Sequence, residues 1–261
     1  VDFNQSTDGT YAGGISGTGR LTKSGSGTLS LSGTNTYSNA TNINQGTLAL
    51  PSGGSISHSS NGLFVGVADG DNATLTLANG ATVSNNNGYI AYLTGSTGSV
   101  DVSGTWNNSG FTQIGRYGTG SLDILSGGLV TNTDGAIAAF SGSGTANVSG
   151  TWTNSGELRI GVRSIGTLNL LEGGVLNAAG EGGVRVGLNS GSTGTLNLGN
   201  GGNTGIVNAT QIIGEAGSAT LNFNHTDTDF HLTTDGTSGG TAVALTGSLA
   251  VNHLGSGTTT L

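Results

Sequence analysis

The chain has 261 residues, of which 52 are glycine and one is proline, with no cysteine or methionine, and 6 lysines and arginines stand against 14 acidic residues for a formal charge of −8. Collagen would need glycine at every third position and abundant proline, a disulfide scaffold or thiolate metal site would need cysteine, and a nucleic-acid binder would need a broad basic face. No apolar run approaches the roughly 20 residues that span a bilayer as a helix, so no membrane insertion and no nucleic-acid partner are expected of this segment.

In chain order, one phrase recurs: Gly-Thr-Leu-x-Leu or a near variant, with its first apolar residue at Leu29, Leu48, Leu75, Val100, Leu122, Ala146, Leu168, Leu196, Leu221 and Leu249. The steps are 19, 27, 25, 22, 24, 22, 28, 25 and 28 residues, a mean near 24. Two further series keep the same beat. One runs Val65, Ile90, Ile114, Ile137, Ile160, Val186 and Ile213, mostly followed by glycine or alanine; the other runs Ile56, Val83, Trp106, Val130, Trp152, Leu176 and Val207. Each period therefore holds three short β-type segments separated by Gly, Asn and Ser turns, and none shows helical spacing. A repeat this short cannot bury an apolar face alone, so its neighbours above and below must cover it. Three strands per turn stacked in parallel make an all-β, single-stranded parallel β-helix (β-solenoid) of about 24 residues per coil. Ten or eleven coils at about 4.8 Å give a rod on the order of 50 Å long.

Strand alternation then sorts the columns. In each apolar-x-apolar phrase the middle residue faces out: Thr76, Asp101, Asp123, Asn147, Asn169, Asn197 and Asn222. Two residues beyond the third strand's apolar position, an inward column reads His58, Asn85, Asn108, Asn132 and Asn154. We read Asn85, Asn108, Asn132 and Asn154 as a structural ladder of amides satisfying one another at a corner.

Residues 17–50 carry Lys23-Ser24-Gly25-Ser26-Gly27-Thr28-Leu29 and Asn35-Thr36-Tyr37, and resemble the passenger-associated transport repeat of bacterial autotransporters. Residues 62–200, with Thr105-Trp106-Asn107-Asn108-Ser109-Gly110 and Thr151-Trp152-Thr153-Asn154-Ser155-Gly156, resemble repeats of type V secreted passengers. Gly255-Ser256-Gly257-Thr258 looks like the start of a second transport repeat, and Phe223-Asn224-His225-Thr226-Asp227 echoes Phe3-Asn4-Gln5-Ser6-Thr7-Asp8. The resemblance implies a right-handed β-helix exposed on a Gram-negative cell or secreted, delivered by a translocator barrel elsewhere in a longer polypeptide. On this reading residues 1–261 are one β-helix section. It has transport-repeat-like coils at 17–50, regular coils at 51–218, and a second transport-repeat-like section at 219–261 with an inserted loop near 234–241.

The residues that bear chemistry each have two readings. Gly236-Thr237-Ser238-Gly239-Gly240 fits a nucleophile-elbow pattern, which requires a following helix that the sequence does not offer; a surface loop is the alternative. His225, Asp227, Asp229 and His231 at two-residue spacing would share a strand face and bind a metal, but the apolar parity changes between Phe223 and Phe230, so a turn is expected there. Asp101 and Asp123 stack one coil apart, which raises a carboxyl pKa or invites a cation; a polar ladder is the plainer reading. Arg159, Arg163 and Arg185 form the basic cluster, either a docking spot for a sulfated glycan or acidic partner, or pairs with Glu157, Glu172 and Glu181. Trp106 and Trp152 are read as core, while Tyr89, Tyr92, Tyr117 and Phe140 are candidates for a surface aromatic patch.

The expectation is a non-enzymatic passenger with no catalytic residues, metal or cofactor, acting in adhesion to a host-cell protein or glycan, or in self-association with another copy. The alternative is a released ligand that activates a host receptor; less favoured are a polysaccharide-degrading β-helix enzyme and a structural spacer.

Overall fold

The computed structural model describes residues 1–261 apart from Ser59 and Thr234. Among the described residues every regular element is a strand, and the chain is a right-handed parallel β-solenoid of about nine turns, about 24 residues apart. One coil shows the plan. Strand Gly88–Ile90 is followed by Thr97–Val102 and Thr105–Asn108, and the next coil repeats as Thr112–Ile114, Thr119–Ile124 and Leu129–Asn132. Each strand pairs in parallel with its equivalents one coil before and after. Three faces result, here termed the short-strand, long-strand and corner faces. The corner face is an eight-stranded sheet; the other two merge through strand Gln211–His225, which belongs to both. The count falls below the ten or eleven coils expected because the end segments add strands to two faces without a corner strand, which runs only from Thr34–Asn35 to Ile206–Ala209.

Alternation builds the interior. Leu75 and Leu77 stack on Val100 and Val102, which stack on Leu122 and Ile124, with all six buried. Ile56, Val83, Trp106, Val130, Trp152, Leu176 and Val207 form one inward row of the corner face. Each buried aliphatic side chain contributes on the order of 1.5–3 kcal/mol, shared between coils that could not bury it singly. The third inward row departs from expectation at its end. Ile213 lies opposite Arg185 on the outer surface, and Ile212 fills the interior opposite Val184 while Gly214 faces Val186. The short and long strands run together in Gln211–His225, and the phase moves by one residue.

One cation is inside. Lys23 occupies the inward row below Ile43 and Val65, and its Nζ donates to the carbonyls of Gly25 and, at 3.1 Å, Gln45. Burial pushes its ammonium pKa down, against the pull of Asp2 and Asp8.

The residue after each short strand turns the chain. Gly66, Gly115, Gly161 and Gly187 stand there with φ between +62° and +71°, and Ala91 and Ala138 occupy the same place at +56° and +57°. This tight left-handed turn carries the side chains that follow it onto the flank of the short-strand face.

Candidate functional site on the short-strand face

The outward row of the short-strand face consists of the middle residues of successive strands. It reads Asn42, Phe64, Tyr89, Gln113, Ala136, Arg159, Arg185 and Ile213 in strict register. Beside it, the left-handed turns deliver Tyr92, Arg116, Tyr117, Phe140 and Arg163. All five arginines of the chain, Arg20 included, lie on or next to this face, and the sixth basic residue is the enclosed Lys23. A chain of net charge −8 thus gathers its exposed positive charge on one flank of three.

The aromatic residues interleave with those cations. Phe64 and Tyr89 stack at 4.7 Å, one coil apart, and Tyr92 meets both rings edge-on at 5.0 Å. Tyr117 and Phe140 stack at 4.8 Å. Between the two stacks sits Arg116, its guanidinium carbon 4.5 Å from the Tyr92 ring, 5.1 Å from Tyr117 and 5.2 Å from Phe140. Arg163 approaches Phe140 at 5.5 Å. A guanidinium laid on a ring gains cation–π energy and keeps its N–H rim available to an acceptor. Burial and the neighbouring Tyr92 raise the pKa of the Tyr89 hydroxyl, opposed by Arg116.

Arg159, Arg163 and Arg185 do lie together, but with different partners. Arg159 Nε is 2.9 Å from Glu157, and Arg185 spans Glu157 at 3.5 Å and Glu215 at 2.6 Å. The Glu215 contact raises the Arg185 pKa further. Among the described residues, Arg116 and Arg163 make no ion pair with a carboxylate. Glu172 instead accepts from Asn203 at 3.4 Å, and the Glu181 carbonyl accepts from Gln211 at 2.7 Å. Arg116 carried no periodic signal in the sequence; its one mark was the Ile114-Gly115 turn before it, matched by Ile160-Gly161 before Val162 and Arg163.

The other candidates are dispersed or structural. His225 is enclosed, with Nε2 2.9 Å from Thr259 Oγ1 and Nδ1 3.6 Å from Asp227, while the outer pair Asp229–His231 closes separately at 3.0 Å. The chain turns between Asp227 and Phe230, so the four do not share a face, and among the described residues no three potential ligands converge. Ser238 lies on an exposed excursion closed by an antiparallel bridge between Thr233 and Ala242, where Thr237 donates to Asp235; Thr234, in the loop expected near 234–241, lies outside the described residues. Asp101 and Asp123 are register partners on the long-strand face, and burial first, then Asp123, raises the Asp101 pKa. Beyond Asp123 the outward column is a continuous amide chain. Asn147 donates to Asp123 at 2.5 Å, Asn169 to Asn147 and Asn197 to Asn169 at 2.7 Å, Asn222 to Asn197 at 2.8 Å and Asn252 to Asn222 at 2.9 Å.

The inward asparagines behave differently. Asn85 donates to Asn108 at 2.7 Å and Asn132 to Asn154 at 2.6 Å, but Asn108 and Asn154 pass their amides on to the carbonyls of Thr131 and Asn177. The column is two sealed pairs.

Residues 21–50 match the family model of the passenger-associated-transport-repeat. They form the coils from strand Leu21–Lys23 to strand Gln45–Leu50. No curated protein and no solved structure matches the chain. The repeat at 21–50 and the parallel β-solenoid that continues from it together fit an autotransporter passenger-type repeat.

Proposed function

We propose that this chain is a non-enzymatic section of an autotransporter passenger, displayed on the cell surface or secreted, that adheres to host cells or to another copy of itself through the flank of its rod. The observation that carries this reading is the concentration of exposed arginine and aromatic side chains on the short-strand face. Stacked rings and guanidinium rims suit a contact surface, and the carboxylates beside them, Glu157 and Glu215, are engaged by Arg159 and Arg185. The transport-repeat match supports delivery to the outside of the cell.

Saturable binding of the labelled chain to cultured host cells, or reversible dimerisation seen by sedimentation, is the expected result. Non-saturable cell binding together with a strictly monomeric chain would sink the reading. A released ligand for a host receptor is the second reading, favoured by the localisation of all five arginines to one flank. It predicts that substituting Arg159, Arg163 and Arg185 together abolishes the cellular response, whereas spread-out adhesion is only weakened.

A further inference from the structure

The strip from Tyr92 to Arg163 has a period of its own. Arg116 and Arg163 follow equivalent turns two coils apart, which is about 10 Å along the rod at about 4.8 Å per coil. Phe140 lies between them, with one guanidinium at 5.2 Å and the other at 5.5 Å from its ring. Beside Phe140 the outward row drops to Ala136, and this opens a recess of about 260 Å³ lined by Gln113, Ala136, Phe140, Arg159 and Arg163. That is smaller than the roughly 300–1,000 Å³ of enclosed small-molecule pockets, so it suits a unit lying along the surface and not an engulfed ligand. Three side-chain atoms in this coil are buried without partners: Thr112 Oγ1, Gln113 Oε1 and Arg116 Nε.

We propose, building on the adhesion reading above, that this strip is a docking track for a linear acidic polysaccharide carrying one carboxylate per disaccharide. One sugar of an extended chain is close to one coil in length, so acids on alternate sugars fall in step with Arg116 and Arg163. Each guanidinium, free of a protein carboxylate, meets a sugar carboxylate with its N–H rim. The intervening neutral sugar lies over Ala136 against Phe140. Charge complementarity selects an anionic chain: the rest of this protein is acidic and repels one, so binding is confined to this strip and weakens with salt.

The test uses the 261-residue chain and two probes of equal length: a hyaluronan octasaccharide, which alternates glucuronate with N-acetylglucosamine, and a neutral N-acetylglucosamine octamer. Calorimetry at low salt should show binding of hyaluronan, at least about tenfold weaker binding of the neutral octamer, and a further fall for hyaluronan at physiological salt. R116Q/R163Q should weaken hyaluronan binding at least tenfold, while D123N on another face should leave it unchanged. If circular dichroism shows that the double variant loses its β-structure, R163Q alone decides, with an expected loss of several-fold. Equal affinity for the neutral octamer, unchanged binding by the arginine variant, or no hyaluronan binding at low salt would each overturn the proposal. Saturable cell binding without hyaluronan binding leaves adhesion standing through a protein partner; loss of both in a strictly monomeric chain removes the adhesion reading as well.

Discussion

The indole Nε1 of Trp106 donates to Asn85 Oδ1 at 2.8 Å, one coil below, and Trp152 repeats the bond on Asn132 at the same distance. Each asparagine uses its carbonyl for the indole and its amide for the asparagine one coil on. A large aromatic group thus enters the core without an orphaned N–H. Replacing Asn85 or Asn132 with alanine strands the indole donor and the next amide's acceptor in the interior. Each substitution should cost about 1–3 kcal/mol, measured by denaturant unfolding followed by tryptophan fluorescence. A cost near zero would show that the pairs are not a structural seal.

The same indoles explain two glycines. A Cβ at Gly88 would lie 2.6 Å from Trp106 Cζ2, and one at Gly135 would lie 2.5 Å from Asn154 Oδ1 and 3.1 Å from Trp152 Cζ2. The inward row of the short strands gives up a side chain where the corner strand contributes its largest. Gly88→Ala and Gly135→Ala should each destabilise by about 1–3 kcal/mol through overpacking. Combining Gly88→Ala with Trp106→Leu should recover part of that loss, a coupling that a double-mutant cycle in the same unfolding assay would read.

Legibility followed periodicity. Leu75 with Leu77, or Val83 with Trp106, could be placed inward because strand alternation and a recurring step of about 24 residues both mark them. Arg159 and Arg185 could be aligned for the same reason. Arg116, Tyr117 and Phe140 sit on turns of variable length, where neither period applies, so their meeting around one guanidinium is a tertiary fact. Ile213 was misplaced because a merged strand moved the phase by one residue, and a one-residue slip reverses every face. The bonding of the inward asparagines was hidden as well, since a column of identical letters does not say which amide turns aside to a backbone carbonyl.

On the long-strand face the amide chain ends on Asp123, and Asp101 stands next in register with a carboxyl that burial and Asp123 both hold above its ordinary pKa. A raised folded pKa contributes stability that is fully present below the unfolded value and lost as pH rises through the folded one. At neutral pH the pair is therefore a liability. Asp101→Asn should stabilise the protein by about 0.2–1 kcal/mol at neutral pH, the range of a like-charge cross-strand pair, and the gain should vanish under acid conditions where Asp101 is already protonated. A destabilised variant at neutral pH would argue that a cation bridges the two carboxylates.

Histidine sets the opposite slope. His58 Nδ1 faces the Asn61 carbonyl at 3.2 Å and so carries the proton, which leaves Nε2 to accept from Thr41 Oγ1 at 2.8 Å. Thr41 in turn accepts from Tyr37, whose hydroxyl burial pushes well above its usual pKa. A second proton on the ring would replace that acceptor with a donor and charge an enclosed imidazole, and burial accordingly lowers the His58 pKa from 6.5. His225 is lowered for the same first reason, with His253 adding to the effect and Asp227 opposing it. A depressed folded pKa gives stability that is complete above the unfolded value and drains away as pH falls below 6.5 toward the folded one. Unfolding midpoints measured from about pH 7.5 down to about pH 5 should therefore decline, and His58→Gln should flatten part of that decline by removing one of the two titrating rings. An unchanged slope in the variant would place the acid sensitivity at His225 alone.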